Sequence, residues 1–200
     1  KARVDAQNLN AMLTGTSASI TTQFPGTSLG NQLKQVAQVI KLRTTTGMSR
    51  QVFLCMLGGF DTHGSQSWQQ WDLLKQVSEA MLAFYNATVE MGIPDKVTAF
   101  TMSDFGRSLQ PSGTGSDHGW GNHHLILGGA VQGGKVYGKF PTLALGGPDD
   151  CGSRGTLLPS TSLDQYGATL ASWLGVPAGQ MTSVFPNIQN FATPNLGFLG

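Results

Sequence analysis

The chain has 200 residues, of which 27 are glycine, and only 12% carry charge, for a formal net charge of +1. The charged share is about half of the usual roughly 25%, and the near-neutral balance gives no support for nucleic-acid binding, for which a clear basic stripe is expected. No apolar run approaches the roughly 18 residues of a membrane span. The length fits one domain with a core of its own.

The first part of the chain predicts an irregular lead-in, a helix and a strand. Residues 1–28 are rich in Thr, Ser, Gly and Gln, with a short helix expected near Ala6–Leu13. Residues 29–43 carry apolar side chains at helical spacing, which predicts an amphipathic helix. The apolar run Gln51–Leu57, bounded by two glycines, predicts a buried strand. Its Cys55 is expected to be a buried thiol.

The remaining elements alternate between helix and strand. In order, they are a long helix over 67–91, strands over 96–102, 124–131 and 135–137, and a helix over 163–174 that opens with a capping box. This order predicts an α/β protein with a mainly parallel sheet. In such sheets, binding sites form beyond the carboxyl ends of the strands. The tail from Val184 is expected to lie over the surface.

Asp61 and His63 follow the first predicted strand in the segment Gly-Gly-Phe-Asp-Thr-His-Gly. Carboxylate oxygen with imidazole nitrogen is a common ligand mix for zinc, manganese or iron. The alternative for an isolated Asp-x-His is structural: Asp61 caps the following helix and His63 donates to a backbone carbonyl. Further acidic and histidine residues downstream favour the metal interpretation.

Asp104 follows the next predicted strand and is either a metal ligand or a helix cap near Phe105. Arg107, three residues on, either clamps an anionic group or pairs with Asp104. Both roles of Arg107 stay open at this point. Ser103, beside Asp104, is expected to be a turn device because hydroxyls commonly serve in this way.

The segment Asp117–His124 holds the other three histidines. His118 is the better candidate ligand, and Asp117 either orients it or binds a second ion. His123 and His124 are adjacent and point to opposite faces if they begin a strand, so at most one joins the site. We expect His124 to be structural and keep His123 as a candidate. The sequence contains no P-loop and no dinucleotide-binding glycine motif.

Together these motifs resemble the bacterial domain of unknown function 1501 family, and through it the alkaline phosphatase/sulfatase superfamily. The segments that carry the resemblance are 58–63, 103–107, 117–119, 127–134, 137–138, 164–166 and 185–187. They occur in the family's order over most of the chain from about residue 30 onwards.

The resemblance implies a three-layer α/β/α fold with a mainly parallel central sheet, of the alkaline-phosphatase type. It implies that Asp61, His63, Asp104 and His118 hold divalent metal, and that a Thr, Ser or modified Cys attacks phosphate or sulfate. Family members more often have Glu at the position of Asp104. They usually carry an export signal, which implies a periplasmic or secreted protein.

The resemblance also implies that the chain is a fragment. Members of the family are about twice as long, so residues 29–200 are expected to be the C-terminal part of such a domain, after the lead-in over 1–28. The start at Lys1 without a signal peptide predicts a processed or excised piece. The missing N-terminal half would then be a partner, because it supplies the superfamily's nucleophile and first metal-binding Asp.

The leading hypothesis is a metal-dependent hydrolase of anionic esters. Zinc, with manganese or calcium as alternatives, would be held by the carboxylates and histidines above, and Arg107 would neutralise a phosphate or sulfate ester, small or polymeric. The alternative is a non-catalytic exported protein that keeps the fold for binding or structure with a degenerate site. A disulfide between Cys55 and Cys151 stays open, because it needs Cα atoms within about 7 Å.

Overall fold

The fold is taken from a computed structural model, which describes residues 2–200 and the side chains of residues 7, 8 and 10–200. Its helices and strands are α1 (Ala2–Thr14), α2 (Ser28–Lys41), α3 (Arg43–Thr46), α4 (Gln66–Glu90), β1 (Thr98–Phe100), β2 (Gly106–Ser112), β3 (Gly115–Gly119), β4 (Ile126–Gly128), α5 (Leu163–Leu174) and α6 (Met181–Val184). Two compact units divide the chain. The first comprises residues up to 60 and 69–97, and the second comprises 61–68 and 98–200.

Helix α2 lies in the first unit, where the sequence predicts a helix over 29–43. Its start is capped, because Thr27 Oγ1 accepts a hydrogen bond from the Gly30 N–H at 3.1 Å. Leu29, Ala37 and Ile40 are buried along one side. The predicted amphipathic helix is confirmed, as is the short helix near Ala6–Leu13, which lies within α1.

Helix α4 confirms the predicted long helix over 67–91. It ends at Glu90, and Gly92 follows with φ of +67°, a conformation that favours glycine. Its buried side chains all fall between Ala80 and Thr88. Although α4 is the longest helix, no helix within residues 2–200 is both long and apolar enough to cross a membrane.

The predicted buried strand Gln51–Leu57 is wrong. No strand is formed there, and Val52, Leu54 and Met56 are 75%, 85% and 72% exposed. The backbone of Met56 is hydrogen-bonded to a side chain, that of Gln32, and not to a neighbouring strand. Gln32 Nε2 donates to Met56 O and Gln32 Oε1 accepts from Met56 N, both at 2.9 Å. Cys55 is half-buried and burial raises the pKa of its thiol, while Cys151 is exposed, and both are free thiols.

The predicted three-layer α/β/α fold with a mainly parallel sheet is also wrong. The described residues are 40% helical and form only two small antiparallel sheets. Strand β1 pairs with β4, so that Ala99 faces Leu127, and β2 pairs with β3 as a hairpin. The predicted strands over 96–102 and 124–131 shrink to three residues each, and the one over 135–137 does not form. Both pairings are antiparallel, so the described residues form no parallel sheet.

The core of the second unit centres on Tyr166 of α5. The ring of Tyr166 contacts Phe100 and Phe198, at centroid distances of 6.0 and 5.7 Å, and its hydroxyl donates to Thr101 O at 3.2 Å. Helix α5 begins with the predicted capping box of Ser162 and Gln165. The expectation that the tail lies over the surface is wrong at Phe198, which is fully buried.

Glu90, the last residue of α4, forms hydrogen bonds to the segment that precedes α2 in the first unit. Its carboxylate accepts from the backbone N–H groups of Thr21 and Thr22, at 2.8–3.1 Å, and from Thr22 Oγ1 at 2.7 Å. The hydrogen bond from the Thr21 backbone is the largest cause that lowers the pKa of Glu90, which falls from 4.5 to about 2 despite partial desolvation. Lys41 Nζ lies 4.0 Å away.

Glu90→Gln should therefore destabilise the protein by about 1–2 kcal/mol at pH 7, since a neutral amide accepts these hydrogen bonds more weakly. The folded pKa is depressed, so the stabilisation is present above pH 4.5 and is lost as the pH falls towards about 2. Urea unfolding of both proteins between pH 7 and 2.5 measures this. The difference should shrink on acidification, and a difference independent of pH would contradict the assignment.

Glu79→Gln is the matched control, because Glu79 is half exposed and pairs with Lys75 within the same helix, at 3.8 Å. Exposed pairs of this kind contribute about 0.3–0.5 kcal/mol. A loss as large as that of Glu90→Gln would show that helix charge alone accounts for the effect.

Candidate metal centre

The loop over 61–65 is fixed to the turn of the β2–β3 hairpin through Thr114. The Ser65 N–H donates to Thr114 Oγ1 and the Gln66 N–H donates to Thr114 O, both at 2.9 Å. Gly115 permits the close approach, because a Cβ there would lie 2.3–2.5 Å from backbone atoms of Thr62 and His63. The loop is therefore held against the hairpin at its backbone.

Pairing within the hairpin brings a cation and a histidine to one place. Arg107 of β2 lies directly opposite His118 of β3, and side chains of opposite residues share a face of an antiparallel pair. The pairing is interrupted by an irregularity between Arg107 and Pro111. Gly119, opposite Gly106, allows close approach, since a Cβ there would lie 2.7 Å from the Arg107 carbonyl carbon.

Three potential ligand atoms converge where the loop meets the hairpin. Asp61 Oδ1 lies 3.0 Å from His63 Nε2 and 2.9 Å from His118 Nε2, and the two nitrogens are 3.1 Å apart. The three side chains are 48–58% exposed. No other group of three or more His, Cys, Asp or Glu side chains among the described residues has this arrangement. We call Asp61, His63 and His118 the triad.

Arg107 contacts the triad through Asp61. Its Nη1 donates to Asp61 Oδ1 at 3.0 Å, its Nε donates to Ser116 Oγ at 3.2 Å, and its Nη2 donates to Ser116 O. Partial desolvation acts to raise the pKa of Asp61, but the hydrogen bond from Arg107 and the charges of His63 and His118 outweigh it. The pKa of this carboxyl therefore lies below its ordinary value.

The donor set of the triad fits one small divalent ion. Bonds of about 2.0–2.2 Å at angles near 90–110° place neighbouring ligand atoms roughly 2.8–3.6 Å apart, and the observed separations of 2.9–3.1 Å fall within that range. Two imidazole nitrogens and one carboxylate suit zinc, manganese or iron. Calcium, which takes oxygen ligands, is disfavoured.

The alternative in which Asp61 caps a helix and His63 donates to a backbone carbonyl differs from the observed contacts. Helix α4 begins at Gln66, and the Asp61 carboxylate contacts Arg107 and the two histidines of the triad. The ring of His63 faces His118, with centroids 5.1 Å apart. Arg107 pairs with Asp61, which neither role suggested by the sequence had anticipated.

The other predicted ligands are not brought into the triad. Asp104 precedes β2 and is exposed, and no helix begins near Phe105. Its neighbour Ser103 donates from Oγ to Phe105 O at 2.9 Å, as expected of a turn device. His123 packs against Phe140, with ring centroids 5.1 Å apart.

Asp117 and His124 have contacts of their own. Asp117 Oδ1 accepts from the His118 N–H at 2.8 Å, the largest cause that lowers the pKa of Asp117, and its Oδ2 lies 3.9 Å from Arg154 Nη1. His124 stacks on Tyr166, with centroids 5.5 Å apart. Burial, and then the charge of His123, lower the pKa of His124. This is the structural histidine that the sequence led us to expect.

Sequence reasoning missed the hairpin and two residues on it, Gly115 and Ser116. A signal was present, because the pair Ser112-Gly113 is typical of a tight turn between strands. Pro111 acts against it, since proline is uncommon inside strands. The role of Ser116, buried behind Arg107, has no local signature in the sequence.

The hairpin, the loop and the triad define a protein with an exposed candidate metal centre of two histidines and one carboxylate. Residues 5–165, well over half of the chain, match the family described as "Protein of unknown function (DUF1501)". The chain belongs to this family, as the resemblance predicted. Comparisons with curated proteins and with solved structures gave no match.

Gly115→Ala should displace the loop over 61–65, because the new Cβ would meet backbone atoms of Thr62 and His63 at 2.3–2.5 Å. We expect a loss of about 1–3 kcal/mol in stability, the usual range for overpacking. NMR spectra should also show shifted imidazole signals of His63. Gly133→Ala is the control, since nothing lies within 4 Å of a Cβ there. Equal effects of the two substitutions would contradict the close-approach argument.

Proposed function

We propose that the protein is a metal-dependent hydrolase that acts at the triad on anionic esters. The observation that carries the proposal is the convergence of Asp61 Oδ1, His63 Nε2 and His118 Nε2 within 2.9–3.1 Å of one another. Catalytic zinc sites use three protein ligands of this kind and leave a coordination position open. The half-exposed side chains of the triad agree with an open position.

The charges around the triad support an anionic substrate. Asp61 and Asp117 carry negative charge, and they pair with Arg107 and Arg154 respectively. The two carboxylates balance the two guanidinium groups, so a bound divalent ion would leave the site with two unbalanced positive charges. Such a site attracts anions. Phosphate and sulfate esters are the substrate class that we propose.

The residues of the chain would bind and orient the reactants. A bound divalent ion would polarise the ester and lower the pKa of water. Asp61, His63 and His118 would hold that ion, and Arg107 would hold the Asp61 carboxylate. Arg154, with a half-exposed side chain and a 3.9 Å pair with Asp117, is available to contact an anion at the rim.

Three sequence-based predictions belong to this proposal. They include the relationship to the alkaline phosphatase/sulfatase superfamily, a nucleophile supplied by an N-terminal half, and a periplasmic or secreted location. The fold of that superfamily is not part of the proposal. The non-catalytic alternative is distinguished by experiment, because it allows metal binding without ester hydrolysis.

Metal binding is tested by titrating the metal-free protein with Zn²⁺ and Mn²⁺ in a calorimeter. One equivalent should bind, and alanine at Asp61, His63 or His118 should weaken binding by about 100-fold or more, beyond the roughly 10–100-fold of an outer-shell partner, since each removes one of three ligands. His123→Ala is the matched control and should bind like the wild type, because His123 packs against Phe140. Equal affinity of His118→Ala and His123→Ala would exclude the triad as the site.

Hydrolysis is tested by incubating the metal-loaded protein with aryl phosphates and aryl sulfates, both alone and together with the N-terminal half that the sequence predicts as its partner. We expect product release that Asp61→Asn abolishes and His123→Ala retains, because only the former alters the triad. Tight metal binding with no release from either ester class would favour the non-catalytic alternative over the hydrolase.

A further inference from the structure

We propose that Arg107, supported by Ser116, is a positioning residue that fixes the Asp61 carboxylate for metal binding, rather than a residue that neutralises the substrate. The inference rests on the proposed function, because it concerns the same metal site. It changes the role that the sequence assigned to Arg107 and adds Ser116, which the sequence did not single out.

The guanidinium of Arg107 is already engaged in three directions. Nε donates to Ser116 Oγ at 3.2 Å, Nη2 donates to Ser116 O, and Nη1 donates to Asp61 Oδ1 at 3.0 Å. The side chain of Arg107 is only 12% exposed, and Ser116 is 4% exposed. A substrate anion would have to displace Asp61 or Ser116 to form a bidentate pair with this guanidinium.

The contacts of Arg107 also extend to the histidine side of the triad. Its guanidinium carbon lies 5.9 Å from the centre of the Phe105 ring, and that ring stacks on His118 at a centroid distance of 4.5 Å. Arg107 and His118 are opposite each other in the hairpin. The Arg107 side chain, of which only 12% is exposed, is thus in register with His118 and hydrogen-bonded to Asp61.

Asp61 needs such a partner because its own surroundings restrain it little. Its side chain is 58% exposed and projects from a loop. The hydrogen bond from Arg107 uses Oδ1, the same oxygen that lies 2.9–3.0 Å from both histidines. It therefore orients this oxygen towards the histidines and leaves its second lone pair for an ion, as hydrogen-bonded partners of metal ligands do.

A purely electrostatic role for Arg107 predicts the opposite result. A positive charge 3.0 Å from a ligand oxygen repels a divalent ion, so its removal would strengthen metal binding. Loss of positioning would instead weaken binding, by about 10–100-fold for an outer-shell partner. The sign of the change in affinity separates the two roles.

The experiment compares Zn²⁺ and Mn²⁺ affinity of the wild type with Arg107→Gln, Arg107→Lys and Ser116→Ala by calorimetry at pH 7.5. We expect about 10–100-fold weaker binding for Arg107→Gln. Arg107→Lys should be similarly weak, because one ammonium group cannot reach Ser116 and Asp61 in the same geometry. Ser116→Ala should lose several-fold. Arg43→Gln is the control of equal charge change and should bind normally, since Arg43 donates to Ile40 O in the other unit.

Cobalt substitution gives a second readout. The visible absorption bands of bound Co²⁺ report its ligands, so they should change in Arg107→Gln and stay as in the wild type in Arg43→Gln. If Arg107→Gln fails to fold, Ser116→Ala decides, and wild-type affinity in that variant overturns the inference.

The failures of the two proposals are distinguishable. A wild type that binds neither Zn²⁺ nor Mn²⁺ overturns the proposed function and the inference together. A wild type that binds metal through the triad, with equal or tighter binding in Arg107→Gln, overturns the positioning role alone.

Discussion

The candidate site depends on the backbone contact between the loop over 61–65 and the turn of the hairpin. Thr114 accepts two hydrogen bonds from this loop and the start of α4, and Gly115 offers no side chain to keep them apart. Asp61 and His63 lie more than 50 residues from His118 in the chain, so their proximity is a product of this contact. This contact leaves no room for a side chain at Gly115, because one added methyl group there would reach backbone atoms of the loop.

The electrostatics of the site combine opposing demands. A divalent ion needs an ionised carboxylate, and Arg107 favours ionisation by donating to Asp61. The same charge repels the ion. The hydrogen bonds of Arg107 to Ser116 and Asp61 fix the position of its guanidinium, so its favourable effect on the ionised carboxylate is kept. Asp117 and Arg154 form a second, looser pair beside His118.

Local patterns predicted the helices well. Helical spacing predicted α2 and α4, and Gly92 marked the end of α4. The Ser162 capping box predicted the start of α5. These features act within a few residues, so the sequence displays them directly. Helices α4 and α5 are within two residues of their predicted ends, because glycine and caps mark those positions.

The sheet was predicted wrongly for a physical reason. The composition of the apolar run Gln51–Leu57 does not determine whether its backbone pairs with neighbouring strands. Here the Met56 backbone is instead hydrogen-bonded to the side chain of Gln32. Burial on both faces, which a parallel sheet requires, cannot be read from such a run alone. The predicted parallel sheet therefore included a segment that forms no strand.

Residue type identified the candidate ligands, but it did not show which of them lie together. Asp and His in glycine-rich segments indicated metal chemistry, and three of the six predicted ligands converge. Asp104 and His123 are close in sequence to the hairpin, but they are not among the converging side chains, and His123 packs against Phe140. The choice among candidates depends on the hairpin, whose register places Arg107 opposite His118. Only a hairpin prediction would have paired those two residues.

The exposure of the triad bears on what a metal would do there. Structural zinc sites are closed by four protein ligands and contribute to folding. The triad offers three ligands, each about half exposed, while the core of its unit lies around Tyr166 and Phe198. Packing of that core uses none of the three ligands. A metal at the triad would therefore be available to a ligand from solvent, which suits chemistry or binding at the surface better than support of the fold.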